Sequence, residues 1–224
     1  MNSKKHIIVF SHGFGVRKDD RGLFPGVILG LKGVETVMFD YNQIDEVEHT
    51  ITVLPLSKQA KILSTVLSDI KKSHPDAIID LICHSQGCVV AALAKQTFVR
   101  KTLFLAPPSS FNFDRTIESF KKRPGTEIRM DGVSRLSRLD GSTTLVPAEY
   151  WNERDAIHNP IELYNEFAHL TEITIIQALD DEVLGSSDFS TLSQEIQTVE
   201  LHGNHGFTGE ARKELLRLIK KCIL

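Results

Sequence analysis

The sequence predicts an α/β protein: a mostly parallel sheet of about six strands with helices on both faces, forming a single domain over residues 1–224. Three observations predict it. Six short runs rich in β-branched residues are read as continuous, mainly apolar runs without strict alternation, as strands covered on both faces require. Helical patterns lie between them, and strand then helix, repeated, is the order that right-handed crossovers build. The length of 224 residues is enough for one layered structure of this kind to bury a sizeable core.

The strand runs cover 6–10, 35–40, 77–83, 102–106, 172–177 and 196–201. The segment 57–73 carries Leu63, Val66, Leu67 and Ile70 at helical spacing and stops before Pro75; 208–223 repeats the pattern with Leu215, Leu218, Ile219, Cys222 and Ile223. The interval 107–169 breaks the rhythm. It offers no buried strand, two Asp-Gly turn signals at Asp131-Gly132 and Asp140-Gly141, and the aromatic pair Tyr150-Trp151. Asp-Gly between the short runs 127–130 and 133–139 predicts small hairpins, so 107–169 is expected as a cap inserted over the sheet.

Charge and cysteine usage narrow the function classes. There are 26 basic and 29 acidic residues, a formal charge of −3, and the longest basic block is the triplet Lys121, Lys122, Arg123, so no nucleic-acid footprint is visible. The leading apolar run, 7–10, is too short for a signal-peptide core, and nothing approaches the roughly 18 apolar residues of a membrane span. Cys83, Cys88 and Cys222 are odd in number and have no zinc-like spacing, so neither a disulfide framework nor a metal site is expected. A cytoplasmic protein acting on a small molecule is the expectation.

The stretch Asp80 to Val90, DLICHSQGCVV, ends a strand at a serine and restarts as a helix. Ligands of open parallel sheets bind beyond the carboxyl ends of the strands, which is where Ser85 would sit. A tight strand-to-helix turn crowds the positions two before and two after its tip, and small residues, Cys83 and Gly87, occupy both. This is the G-x-S-x-G elbow with its first glycine replaced. The first strand ends in Ser11-His12-Gly13-Phe14-Gly15, a glycine-rich turn at the same sheet edge. A tetrahedral oxyanion needs two donors, and the backbone N–H groups of Phe14 and Gln86 are the candidates.

A serine hydroxyl needs a base, and the base needs an orienting carboxylate. Of nine histidines, His205 lies in the glycine-rich loop GNHGF between the last strand and the last helix, with His202 as the alternative. His12 and His84 flank the two turns and are expected to pack or hydrogen-bond. The acid should follow the 172–177 strand, where Asp180, Asp181 and Glu182 stand in a row.

The order serine, acid, histidine and the motifs HGFG (12–15), CHSQG (83–87), LAPP (105–108), ALDDEV (178–183) and GNHGF (203–207) resemble the α/β-hydrolase superfamily over nearly the whole chain apart from the cap. The resemblance selects Asp181, three residues after the small Ala178 and two before the apolar Val183, with Asp180 as rival. It implies an esterase acting through an acyl-enzyme on Ser85, with His205 as base and Asp181 holding the ring. Such chemistry needs no metal, nucleotide or flavin. Two departures stand out: Cys83 and Cys88 occupy positions where glycine is common, and the antiparallel leading strands of larger members are missing.

Substrate choice should rest on the cap. Phe14, Phe111, Phe113, Tyr150 and Trp151 are aromatic candidates for an acyl pocket, although packing is the commoner use of such residues. Arg129, Arg135 and Arg138 read as the solvated face of a hairpin, with binding of a substrate carboxylate or phosphate as the alternative. A small or medium acyl ester is expected. A thioesterase, a small-substrate peptidase and a binding protein that keeps the fold without turnover are the rival readings.

Overall fold

In the computed structural model, which describes residues 4–111 and 113–224 and only the backbone of residues 113 and 114, the apolar runs form one six-stranded sheet. In chain order the elements are β1 (His6–Ser11), α1 (Leu23–Ile28), β2 (Glu35–Met38), β3 (Gln43–Asp45), β4 (Thr50–Thr52), α2 (Leu56–Ser73), β5 (Ile78–His84), α3 (Gln86–Ala94), β6 (Lys101–Leu105) and α4 (Phe113–Lys121). Then follow β7 (Val133–Ser137), β8 (Thr143–Pro147), α5 (Ala148–Ala156), α6 (Pro160–Ala168), β9 (Glu172–Ala178), β10 (Gln197–Leu201) and α7 (Glu210–Ile223). The sheet runs β10-β9-β6-β5-β1-β2 and every pairing in it is parallel. The chain builds outward from β1 to β2, returns across β1 to β5, and then builds the other way, so the direction switches between β1 and β5.

The unalternating strands are explained by the two layers that cover them. Along β1, Ile7 and Val9 point into one apolar cluster and Ile8 and Phe10 into the other. The first cluster is closed by Leu63 and Leu67 of α2, Val89 and Val90 of α3, and Tyr164 and Phe167 of α6. The second is closed by Leu23, Phe24 and Val27 of α1 and by Leu215, Ile219 and Ile223 of α7. Each such side chain contributes about 1.5–3 kcal/mol when fully buried. Helix ends follow local chemistry: Asn159 caps α6 by accepting from the Ile161 N–H ahead of Pro160, and α2 closes at His74, directly before Pro75.

The 107–169 interval corrects one expectation. It does hold strands with a buried face: in β7 and β8, Ser134, Leu136, Thr144 and Val146 are fully buried while their neighbours are not. Both Asp-Gly turns are used. Asp140-Gly141 joins β7 to β8 with Gly141 at φ +82°, and Asp131-Gly132 lies between the bridged residues Glu127 and Arg135. These strands do not form a sheet alone. β8 runs parallel to β4, giving a second sheet β3-β4-β8-β7 that combines 43–52 with 133–147. Among the described residues no helix is long and apolar enough to cross a membrane.

Candidate active site

Ser85 sits between the buried strand β5 and the buried helix α3 in a conformation that non-glycine residues avoid, φ +52° and ψ −125°. Such backbone costs about 1–3 kcal/mol and persists because its surroundings hold it. The Ser85 N–H donates to the Leu105 carbonyl at 2.9 Å, and the Ser85 carbonyl accepts from Cys88 at 3.0 Å. A Cβ on Gly87 would meet the backbone oxygens of Ser11 at 2.2 Å and His12 at 2.7 Å, so only glycine fits there. Cys83, paired in register with Ser11, is fully buried and tolerated at its position. Burial pushes the thiols of both Cys83 and Cys88 well above their usual range, which keeps them protonated.

His205 and Asp181 meet. The His205 Nδ1–H donates to Asp181 Oδ2 at 2.7 Å, and Asp181 Oδ1 accepts from the Val183 and Leu184 N–H groups at 2.9 and 2.7 Å. Burial works against the Asp181 charge, but the His205 bond and these two amides outweigh it and hold the carboxyl below its ordinary range. Glu182 fixes the same loop by accepting from the His205 N–H at 3.0 Å. Asp180 instead faces His202 at 3.5 Å, both exposed, so the rival acid and the alternative histidine stand outside this pair. With its Nδ1 proton directed at a carboxylate, a neutral His205 ring presents Nε2 as an acceptor. Among the described residues neither that nitrogen nor Ser85 Oγ makes a hydrogen bond.

A second histidine–carboxylate pair, which no sequence motif signals, lies beneath the first. His84 Nδ1–H donates to Asp20 Oδ2 at 2.8 Å and His84 Nε2–H to the His205 carbonyl at 2.9 Å. Burial opposes a charge on His84, but Asp20 and the carbonyl prevail and raise its pKa. Asp20 is likewise held low against its burial by His84 and by the Gly13 N–H. That amide donates to Asp20 Oδ2 at 2.9 Å, so one carboxylate ties the glycine turn after β1 to the elbow. The His84 and His205 rings lie 4.7 Å apart. His12 is neutral: burial lowers it, its Nδ1–H reaches the Gly13 carbonyl, and its Nε2 accepts from the Tyr41 N–H.

The two backbone donors expected for an oxyanion, Phe14 N–H and Gln86 N–H, find no acceptor among the described residues, while the Gly13 N–H between them is taken by Asp20. The Gln86 side chain is locked by Tyr150 Oη–H, which donates to its Oε1, and by its own Nε2–H donating to Gln59 Oε1 at 3.1 Å. Tyr150 and Trp151, candidates for a pocket wall, are each 1% exposed and pack on Phe14 with ring centroids 5.2 and 6.3 Å away. Phe111 lines a shallow groove with Arg154, Asp155, Ile157 and His158. The Phe113 side chain lies outside the described residues. Arg129 and Arg135 are exposed, as a solvated hairpin face requires, but Arg138 turns inward against Phe14. Among the described residues no three His, Cys, Asp or Glu side chains gather as a metal site.

No family model matches the chain and no curated protein is significantly similar to it. Solved structures do resemble it. The esterase Est1E of Butyrivibrio proteoclasticus with bound ferulic acid matches at a TM-score of 0.67 and 16% identity, over 99% of this chain and 91% of that one. The esterase domain of a Rhodothermus marinus protein matches at 0.66 and 13%, over 98% and 87%, and an alpha-beta serine hydrolase homologue from Coxiella burnetii at 0.60 and 14%, over 100% and 88%. Likeness at such identities speaks to architecture. Six parallel strands between two helical layers, a strained serine turn after β5 and these structural neighbours together show that the chain has the α/β-hydrolase fold.

Proposed function

We propose that the protein is a serine hydrolase of small to medium carboxylic esters, acting through an acyl-enzyme on Ser85. Ser85 Oγ attacks the ester carbonyl as His205 Nε2 takes its proton, and Asp181 stabilises the imidazolium that forms. The oxyanion is held by the N–H groups of Phe14 and Gln86, each donor contributing about 100 to 1,000-fold in rate. Collapse of the intermediate expels the alcohol, which receives the proton from His205. A water then gives a proton to the same nitrogen as it attacks the acyl carbon, and His205 returns that proton to Ser85 Oγ as the bond to the acyl group breaks and the acid leaves. The observation that carries this reading is the 2.7 Å bond from His205 to Asp181 beside a serine held at φ +52°. Two of the structural neighbours are esterases, which favours esters over amides as the first substrates to try. The residues between β6 and β9 act in this proposal as the cap that limits acyl size, and the three free thiols suit the reducing cytoplasm.

The test is covalent labelling with a fluorophosphonate probe. The parent is expected to label and Ser85→Ala not to. A folded parent that stays unlabelled would make the protein a binding module. Esters, thioesters and aminoacyl amides of matched acyl length then rank the chemistry, and a preference for long triglyceride emulsions would overturn the size limit.

A further inference from the structure

Arg138 carries a positive charge that the protein leaves under-compensated at the edge of the proposed site. Its guanidinium lies over the rings of Phe14 and Phe120, 5.4 and 5.0 Å from their centroids. Nε donates to Thr144 Oγ1 at 2.7 Å, and Nη2 reaches the carbonyls of Phe14 and Gly15 at the long distances of 3.4 and 3.3 Å. Nη1 has no acceptor among the described residues. Burial, and then the charges of Arg21 and Arg123, pull Arg138 down to about 9, which still leaves it charged at neutral pH. The nearby acid, Asp140, offsets part of this charge without forming an ion pair, and its carboxylate accepts from the Ser142 N–H and hydroxyl. Arg123 stacks on the same Phe120 ring at 4.7 Å, and Arg21 is exposed in the loop that follows the glycine turn. Three guanidiniums thus converge with no ion pair to a carboxylate among the described residues. A half-buried cation without a paired counter-charge is costly, and a bound anion relieves that cost.

The location links this charge to the chemistry. Phe14, whose ring carries the guanidinium, also supplies one proposed oxyanion donor, and a Cβ on its neighbour Gly13 would stand 3.3 Å from Ser85 Cβ. We propose that Arg138, with Arg123 and Arg21 around it, is a substrate-anion site: the ester cleaved at Ser85 bears a second, acidic group, a carboxylate or a phosphate, that docks on Nη1 over the Phe14 ring. This rests on the Ser85 reading above. The guanidinium fork suits either oxyanion. Hydrolysis adds water across the ester alone and leaves the docked anion unchanged.

The test compares kcat/KM for the mono-4-nitrophenyl ester of glutaric acid with that for 4-nitrophenyl valerate, which differ at the far end of the acyl chain. The parent is expected to favour the anionic ester about tenfold or more, as a charge-assisted contact provides, and to lose that preference in about 0.5 M NaCl. Arg138→Gln, which keeps a donor for the Phe14 carbonyl, should bring the ratio near one. Arg123→Gln should lower it severalfold and serves if Arg138→Gln fails to fold. A parent ratio at or below one, or a ratio unchanged in both variants, overturns the proposal, as does an equal loss on both esters, which would make Arg138 only a clamp on the turn. Competition by glutarate against inorganic phosphate tells which oxyanion fits. Failure of the Ser85 reading looks different: neither ester turns over and the fluorophosphonate does not react. The anion site then remains testable by thermal shift, glutarate or phosphate raising the Tm of the parent and not of Arg138→Gln; no shift in the parent overturns it.

Discussion

Two histidine–aspartate pairs stand side by side at the carboxyl end of this sheet, and the difference between them shows why the proposed mechanism assigns the base to only one. In both, Nδ1–H donates to a carboxylate, at 2.7 Å for His205–Asp181 and 2.8 Å for His84–Asp20. The other nitrogen separates them. His84 Nε2 faces the His205 carbonyl, so both of its ring nitrogens point at acceptors, its pKa is raised, and it has no free lone pair to offer. His205 Nε2 has no partner among the described residues, so its lone pair is available to a hydroxyl. A carboxylate behind a histidine is therefore insufficient as a sign of a general base. The partner of the far nitrogen decides between a structural cation and a base.

Substitutions can break or sharpen this contrast. The largest expected effect is His205→Gln, which should lower kcat by about 10⁵ to 10⁶-fold with the Tm little changed. His84→Gln should lower kcat far less, through the Gly13 turn alone, and an equal loss would break the contrast. Next, Asp181→Asn should cost about 10⁴-fold in kcat with the fold intact, because the wrong ring tautomer is then favoured. Asp20→Asn should act mainly on stability. Removing one partner of a buried pair costs about 3–5 kcal/mol, and a fall in Tm of about 10 °C follows for a chain of this size.

The pH dependence sharpens it further. The His84 pKa is raised, so its stabilising contribution is complete below the ordinary histidine value of about 6.5 and is lost as pH rises through the folded value. Asp20 is lowered, so its contribution is present above about 3.9 and is lost as pH falls through the folded value. Calorimetry should show the alkaline decline of Tm in the parent and its loss in His84→Gln. The smallest effect belongs to Asp180→Asn, whose exposed contact with His202 contributes at most about 1 kcal/mol, within the scatter of most assays.

Much of this architecture is legible in the sequence, and what is hidden has definite causes. The four inner strands announce themselves because burial on both faces demands nearly unbroken apolar runs, as in Ile7 to Phe10, whereas the edge strands β2 and β10 keep polar, exposed positions such as Glu35 and Glu200 and are marked only by their β-branched residues. The meeting of His205 with Asp181 is foreseeable because both sit in loops that leave adjacent parallel strands, β10 and β9. Asp20 is hidden because Lys18-Asp19-Asp20-Arg21-Gly22 reads as a polar surface loop. Three successive residues with positive φ, 47°, 55° and 83°, turn its carboxylate inward. Strands β3 and β4 are three residues each, too short to show a period, and their charged neighbours mask them. Arg138 misleads because a charged residue after a hairpin strand is normally solvated; only the aromatic cluster, assembled from Phe14 and Phe120 more than a hundred residues apart in the chain, gives it an interior to enter.

The second sheet constrains anyone who would trim this protein to change its substrate range. Deleting the β7–β8 hairpin exposes the long side of β4, which otherwise runs against β8. What remains, β3 with β4, is a lone two-stranded ribbon, marginal in water and open along one edge to pairing with other chains. A shortened variant therefore needs a replacement strand grafted at the same register, Ile51 against Thr144, or it will tend to aggregate before any change in activity can be assayed.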